Sequence, residues 1–179
     1  MTANTQITSE QREAAELEIR EKQKLVDYDT REYSVEMLVE KYLDGIEDNK
    51  NELFVPIYQR RFFWNEKQQS EFIESILLGF PISSMLFADN AENDLERLEI
   101  IDGCQRIRTL ARFLKDELKL QNLNKIETLN GFKFSDLPLA RQKRFKRRNL
   151  RAIVLTKKTE NEFIHYIFER INVSGIGDF

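Results

Sequence analysis

Residues 100–110 read IIDGCQRIRTL. Two branched apolar residues run into Asp-Gly, and beyond the chain's single cysteine an apolar stripe begins, with Ile107, Leu110, Ala111 and Leu114 at helical spacing. The pattern predicts a strand, a tight turn and a helix. Asp102 stands where a helix N-cap belongs. Gly103 allows a sharp turn or a close approach of backbone to ligand. The first N–H groups of a helix lack intrahelical partners, which makes such a junction an anion site. Arg106 lies one turn further on. Helical side chains lean toward the N-terminus, so its guanidinium can reach the same anion, and its planar fork suits phosphate. Asp102 would repel a bare phosphate, so its chemical use is to cap the helix, hold Mg²⁺ or orient a water. A cap alone contributes about 1 kcal/mol, so the same residues also fit a purely structural junction. Cys104 at a helix start is either an activated thiol or a small buried residue. Its one histidine partner would be His165, and the two supply too few ligands for a zinc site.

Outward from this stretch, SSMLFAD (83–89) and RLEIID (97–102) read as strands joined by the polar turn AEND (91–94). Asn65 caps a helix over EKQQSEFIESILLGF, which Gly79 and Pro81 end. ELFVPIY (52–58) is a short strand that Pro56 confines to an edge or bend. Ser34 caps VEMLVEKYL (35–43), with Gly45 as its stop. Residues 1–33 are expected to form a polar tail and a solvated helix over SEQREAAELEIREKQKLV. Residues 34–179 are expected to form one domain. Downstream, KLQN and KIETLNGFKF suggest short strands and turns, LPLARQKRFKRR a basic helix, LRAIVLT a strand and TENEFIHYIFERIN a last helix. Helices mix with short strands without a regular βαβ repeat, so the fold class is α+β.

A hydrophobic fraction of 41% rules out a disordered chain, and the net charge of −3 rules out a uniformly basic nucleic-acid binder. A lone cysteine excludes an intrachain disulfide. No apolar run reaches the roughly 20 residues of a membrane span. A polar, acidic N-terminus is unlike a signal peptide, so the expected location is the cytoplasm. Two further clusters carry chemistry. VPIYQRRFFW (55–64) sets Tyr58, Phe62, Phe63 and Trp64 around Gln59, Arg60 and Arg61, which fits either stacking on bases and phosphates or rings in a core beside solvated arginines. RQKRFKRRNLR (141–151) places Arg141, Lys143, Arg144, Lys146, Arg147 and Arg148 in one run, a footprint for DNA or another polyanion, or else a solvated helix face.

VPIYQRRFFW, IIDGCQRIRTL and IFERINVSG, in this order, resemble the N-terminal domain of GmrSD-type restriction proteins, whose motifs are Pro-x-Tyr-Gln-Arg-x-x-x-Trp, Asp-Gly-Gln-Gln-Arg and Phe-x-Arg-x-Asn-x-x-Gly. The resemblance covers residues 34–177. It implies a ParB/sulfiredoxin-like fold with a small mixed sheet, in which the Asp-Gly-Gln-Gln-Arg loop binds and hydrolyses a nucleotide, with Mg²⁺, and controls a nuclease domain in bacterial anti-phage defence. Carried over, Asp102, Gln105 and Arg106 would be catalytic, with Asp102 also at the metal. Tyr58, Gln59, Arg60, Trp64, Gly103, Cys104, Arg170 and Asn172 would bind the nucleotide, and Phe168 and Gly175 complete the third motif. Cys104 stands where the family has glutamine, which spares a backbone contact but removes a side-chain one. The string also resembles the Gly-Cys-His-Arg of sulfiredoxin, leaving a thiol enzyme as a distant alternative. The chain stops soon after NVSG and carries no His-Asn-His-type nuclease motif, so it is expected to be truncated or to work with a separate nuclease partner. The alternative from another class is a non-catalytic DNA-binding or partner-docking module.

Overall fold

A computed structural model describes residues 7–59, 61–90 and 97–173, without the side chains of Tyr58, Asn161, Ile171, Asn172 and Val173. In chain order the elements are α1 (Ser9–Gln23), β1 (Tyr28–Ser34), α2 (Val35–Leu43), β2 (Leu53–Phe54), α3 (Glu66–Leu78), β3 (Met85–Asp89), β4 (Leu98–Asp102), α4 (Cys104–Leu114), α5 (Leu139–Lys146), β5 (Asn149–Leu155) and α6 (Asn161–Val173). The strands form one mixed sheet in the order β1-β5-β3-β4-β2. β1 runs antiparallel to β5 and β3 antiparallel to β4, while β5–β3 and β4–β2 are parallel. The fold is α+β, as expected.

Alternation along the strands sorts side chains to two faces. Leu150, Ala152 and Val154 of β5, with Met85, Phe87 and Ile100, face the main core, where α2, α3 and α4 pack Leu38, Phe72, Ile73, Ile107, Leu110 and Phe113. Each such fully buried side chain contributes roughly 1.5–3 kcal/mol. Leu86, Ala88, Ile101 and Leu155 face the other way and receive Ile164, Ile167 and Phe168 of α6. A triangle of rings, Phe113, Phe134 and Phe145, spaced 5.4–5.9 Å, fixes α5 and the preceding loop to α4.

The caps follow the sequence. Ser34 Oγ accepts from Met37 N, Asn65 and Gln68 form a reciprocal capping box, and Gly79 closes α3 in the left-handed region at φ +80°. Thr8 and Gln11 make the same box at the start of α1, a helix with no buried residue. β1 was not expected, since YDTREYS lies in the stretch assigned to the tail. It is an edge strand in which Tyr33 alone is fully buried, so apolar periodicity could not reveal it. Residues 119–136 contain two 3₁₀ turns and no strand of the sheet, although Leu120 and Phe132 are joined by a backbone hydrogen bond. β2 shrinks to two residues ahead of Pro56. The expected turn AEND lies outside the described residues. Among the described residues no helix is long and apolar enough to cross a membrane.

Candidate functional site

The 100–110 stretch is a strand–turn–helix junction: β4 ends at Asp102, and α4 begins at Cys104. The cap is not Asp102, as expected from sequence, but Gly103, in the left-handed region at φ +105° and without a side-chain cap bond. A Cβ at Gly103 would stand 2.6 Å from Met85 Cγ, so glycine is required both by dihedral and by space. Asp102 points instead to Arg106, whose Nη2 donates to its Oδ2 at 2.7 Å. Arg106 Nη1 donates to the carbonyl and the hydroxyl of Ser83, each at 2.7 Å. Arg106 is only 2% exposed, while the Asp102 side chain keeps 19%. Burial lowers the guanidinium pKa and the adjacent carboxylate opposes that shift. Arg106 thus does not reach into solvent from the first turn of α4. Ser83, two residues ahead of β3, holds it inward, a partner that no local pattern could reveal.

Gln105 joins the first two motifs. Its Nε2 donates to Arg61 O (3.1 Å), and its Oε1 accepts from Phe63 N (2.9 Å) and Trp64 N (3.3 Å). Gln59 closes the other end, donating from Nε2 to Ile101 O at 2.7 Å. Both glutamine side chains are therefore committed to holding the 59–64 loop against the junction. Trp64 turns inward, its ring 5.4 Å from that of Phe72, and Gln69 donates to its carbonyl. Phe63 points out, 67% exposed, with the Arg61 guanidinium 5.6 Å from its ring centre. Arg60 and the Tyr58 side chain lie outside the described residues.

Cys104 is buried in the main core, its Sγ 3.9 Å from Gln59 O, and burial raises its pKa above the ordinary thiol value. Of the two expectations for Cys104, the structure matches the small buried residue: desolvation, with Asp102 nearby, outweighs the opposing charge of Arg108. His165 lies on α6, which packs on the opposite face of the sheet, its ring stacked near Phe168, so no Cys–His pair forms. The third motif reaches β4 from that opposite face, with Arg170 over the ring of Tyr166 at 4.6 Å. The side chain of Asn172 and all of Gly175 lie outside the described residues.

The basic run divides. Lys146 pairs with Glu36 at 2.9 Å, and Arg148 donates to the carbonyls of Gly79 and Phe80 at the end of α3. Arg141, Lys143, Arg144 and Arg147 stay exposed, without side-chain partners among the described residues. The sheet register puts the end of β4 and the start of β5 at one end of the sheet, so Arg147, just ahead of β5, lies at the same end as the α4 junction.

A family model described as "GmrSD restriction endonuclease, N-terminal domain" matches residues 39–177. No curated protein and no solved structure matches the chain. The chain belongs to the family of GmrSD N-terminal domains, and is a module of the restriction and defence type.

Proposed function

We propose that this GmrSD-type N-terminal domain binds a nucleoside triphosphate at the 102–106 junction and uses the bound state to control a nuclease domain or subunit. The observation that carries the reading is the left-handed Gly103, which starts α4 without a side-chain cap. The first-turn N–H groups of Cys104, Gln105 and Arg106, for which the helix itself has no acceptor, are the donors that would serve phosphate oxygens, aided by the helix dipole. Arg106 neutralises Asp102 and so removes the repulsion that a bare carboxylate would exert on that phosphate. Gln59 and Gln105 hold the 59–64 loop alongside the junction.

Asp102 is the one acidic side chain at this junction, and the described residues hold no cluster of three metal-ligating groups. That donor set fits Mg²⁺ carried by the nucleotide, since this ion is commonly held by one or two carboxylates together with phosphates. Asp102 Oδ1, which takes no hydrogen bond among the described residues, would meet the ion or orient a water, and the ion would shield phosphate charge. Position 104 faces the core, so the family's glutamine is replaced here by a residue whose contribution to a ligand is its backbone N–H alone. Thermal unfolding with ATP, GTP and CTP, with and without Mg²⁺, tests the reading. A ligand at about 100 times its dissociation constant adds roughly 2.7 kcal/mol. Unchanged melting with all three nucleotides would overturn it.

Arg141, Lys143, Arg144 and Arg147 favour a second reading, in which the same end of the sheet docks on DNA. Affinity should then fall steeply with salt, with a log–log slope of about −0.9 per phosphate contacted. Binding that ignores salt would exclude it.

A further inference from the structure

We infer that Arg106 and Ser83 are positioning residues: the Arg106 guanidinium, locked by Ser83, fixes Asp102 and the 102–105 turn, and does not itself touch the bound phosphates. This rests on the nucleotide reading above and assigns the work within that site. Three observations carry it. The guanidinium is 2% exposed, whereas a group that grips an incoming phosphate must present at least one N–H edge to it. Both its terminal nitrogens are already engaged, with three acceptors at 2.7 Å from two separate elements of the fold. Freeing either nitrogen would leave a buried cation short of acceptors, a loss that one new phosphate contact only replaces.

The geometry also shows what is being positioned. Arg106 takes Oδ2 of the partly exposed Asp102 carboxylate and leaves Oδ1 without a hydrogen bond among the described residues, so the bond favours one orientation of the carboxylate over two. Ser83 stands just ahead of β3, and Met85, two residues on, is the residue that confines Gly103. The start of β3 therefore sets the turn from two directions, by hydrogen bonds through Arg106 and by contact through Met85. A loop that must hold its N–H groups within a few tenths of an ångström of phosphate oxygens gains from such support, because a site left loose by about 1 Å loses much of its affinity.

The test is a phosphate ladder. Binding constants for ATP, ADP and AMP (or the GTP or CTP series, whichever binds) are measured by calorimetry on wild type, Arg106→Lys, Ser83→Ala and Ser83→Thr. Lysine keeps the charge but cannot bond Asp102 and both Ser83 oxygens at once. Positioning predicts that Arg106→Lys weakens all three ligands by a common factor of about ten or more. Ser83→Ala should show the same flat pattern with a smaller loss, and Ser83→Thr should restore it. In the free protein, Ser83→Ala should also shift the amide resonances of Gly103, Cys104 and Gln105, while those of α5 stay in place. Direct phosphate contact predicts instead a loss that grows from AMP to ATP with Ser83→Ala near wild type, and that result would overturn the inference. So would unmoved amide resonances. Wild type that binds no nucleotide would remove the nucleotide reading itself, an outcome distinct from any difference among the variants.

Discussion

Two charged helices treat their polar residues in opposite ways. On α4, Gln105 bonds the 59–64 loop and the buried Arg106 bonds β4 and the approach to β3. On α5, Arg141, Lys143 and Arg144 remain in water, and Phe145 alone is buried. The sequence distinguishes the two weakly, since both carry a run of arginines on a helix. What separates them is the partner: α4 starts against the centre of the sheet, where a charge must be neutralised and bonded. α5 lies at the periphery, where water does the same. Charge near the core is thus a structural statement, and charge on α5 is free to serve a partner.

Substitutions can break this contrast. Asp102→Ala should cost the most, about 3–5 kcal/mol, because it leaves the buried guanidinium of Arg106 with Ser83 alone; urea denaturation measures it, and a loss below about 1 kcal/mol would show that the pair is not holding the junction. Gly103→Ala should follow at about 2 kcal/mol, combining a disfavoured φ with a 2.6 Å approach to Met85. Within the basic run, Arg148→Ala should lower stability by about 1 kcal/mol through its bonds to the end of α3. The joint alanine replacement of Arg141, Lys143, Arg144 and Arg147 should stay within about 0.5 kcal/mol per site while removing any DNA affinity. Equal destabilisation in the two would erase the division of the run. Smallest of all, Thr8→Ala should leave global unfolding unchanged within about 0.5 kcal/mol, because its capping box serves a helix that buries nothing. Its effect should appear only as faster amide exchange in α1.

Much of the frame was legible. The Ser34 and Asn65 caps, the Gly79 stop and the core stripe of α4 all rest on interactions a few residues apart, which sequence displays directly. β1 was not, because YDTREYS is an edge strand whose outward residues are polar and whose partner lies far along the chain. At the candidate site, the motifs single out residues 59, 102, 105 and 106, but not the orientations of their side chains. Asp102 looks like a cap until Ser83 draws Arg106 inward and Arg106 draws Asp102 with it. Gln105 looks like a catalytic side chain until its amide is seen bonding the loop at Arg61, Phe63 and Trp64. Trp64, expected at the ligand, packs on Phe72 and leaves Phe63 outside. Such choices are made by long-range partners that a motif does not name.

The pairing of β1 with β5 joins Tyr28 to Leu155. On a ribosome adding about 5–20 residues per second, β1 would emerge and wait on the order of ten seconds before its partner existed. During that interval a seven-residue strand with both edges open is a template for association with other nascent chains. Asp29, Arg31 and Glu32, which add nothing to the finished core, are suited to that waiting period: they keep the strand soluble until the sheet can close around β5.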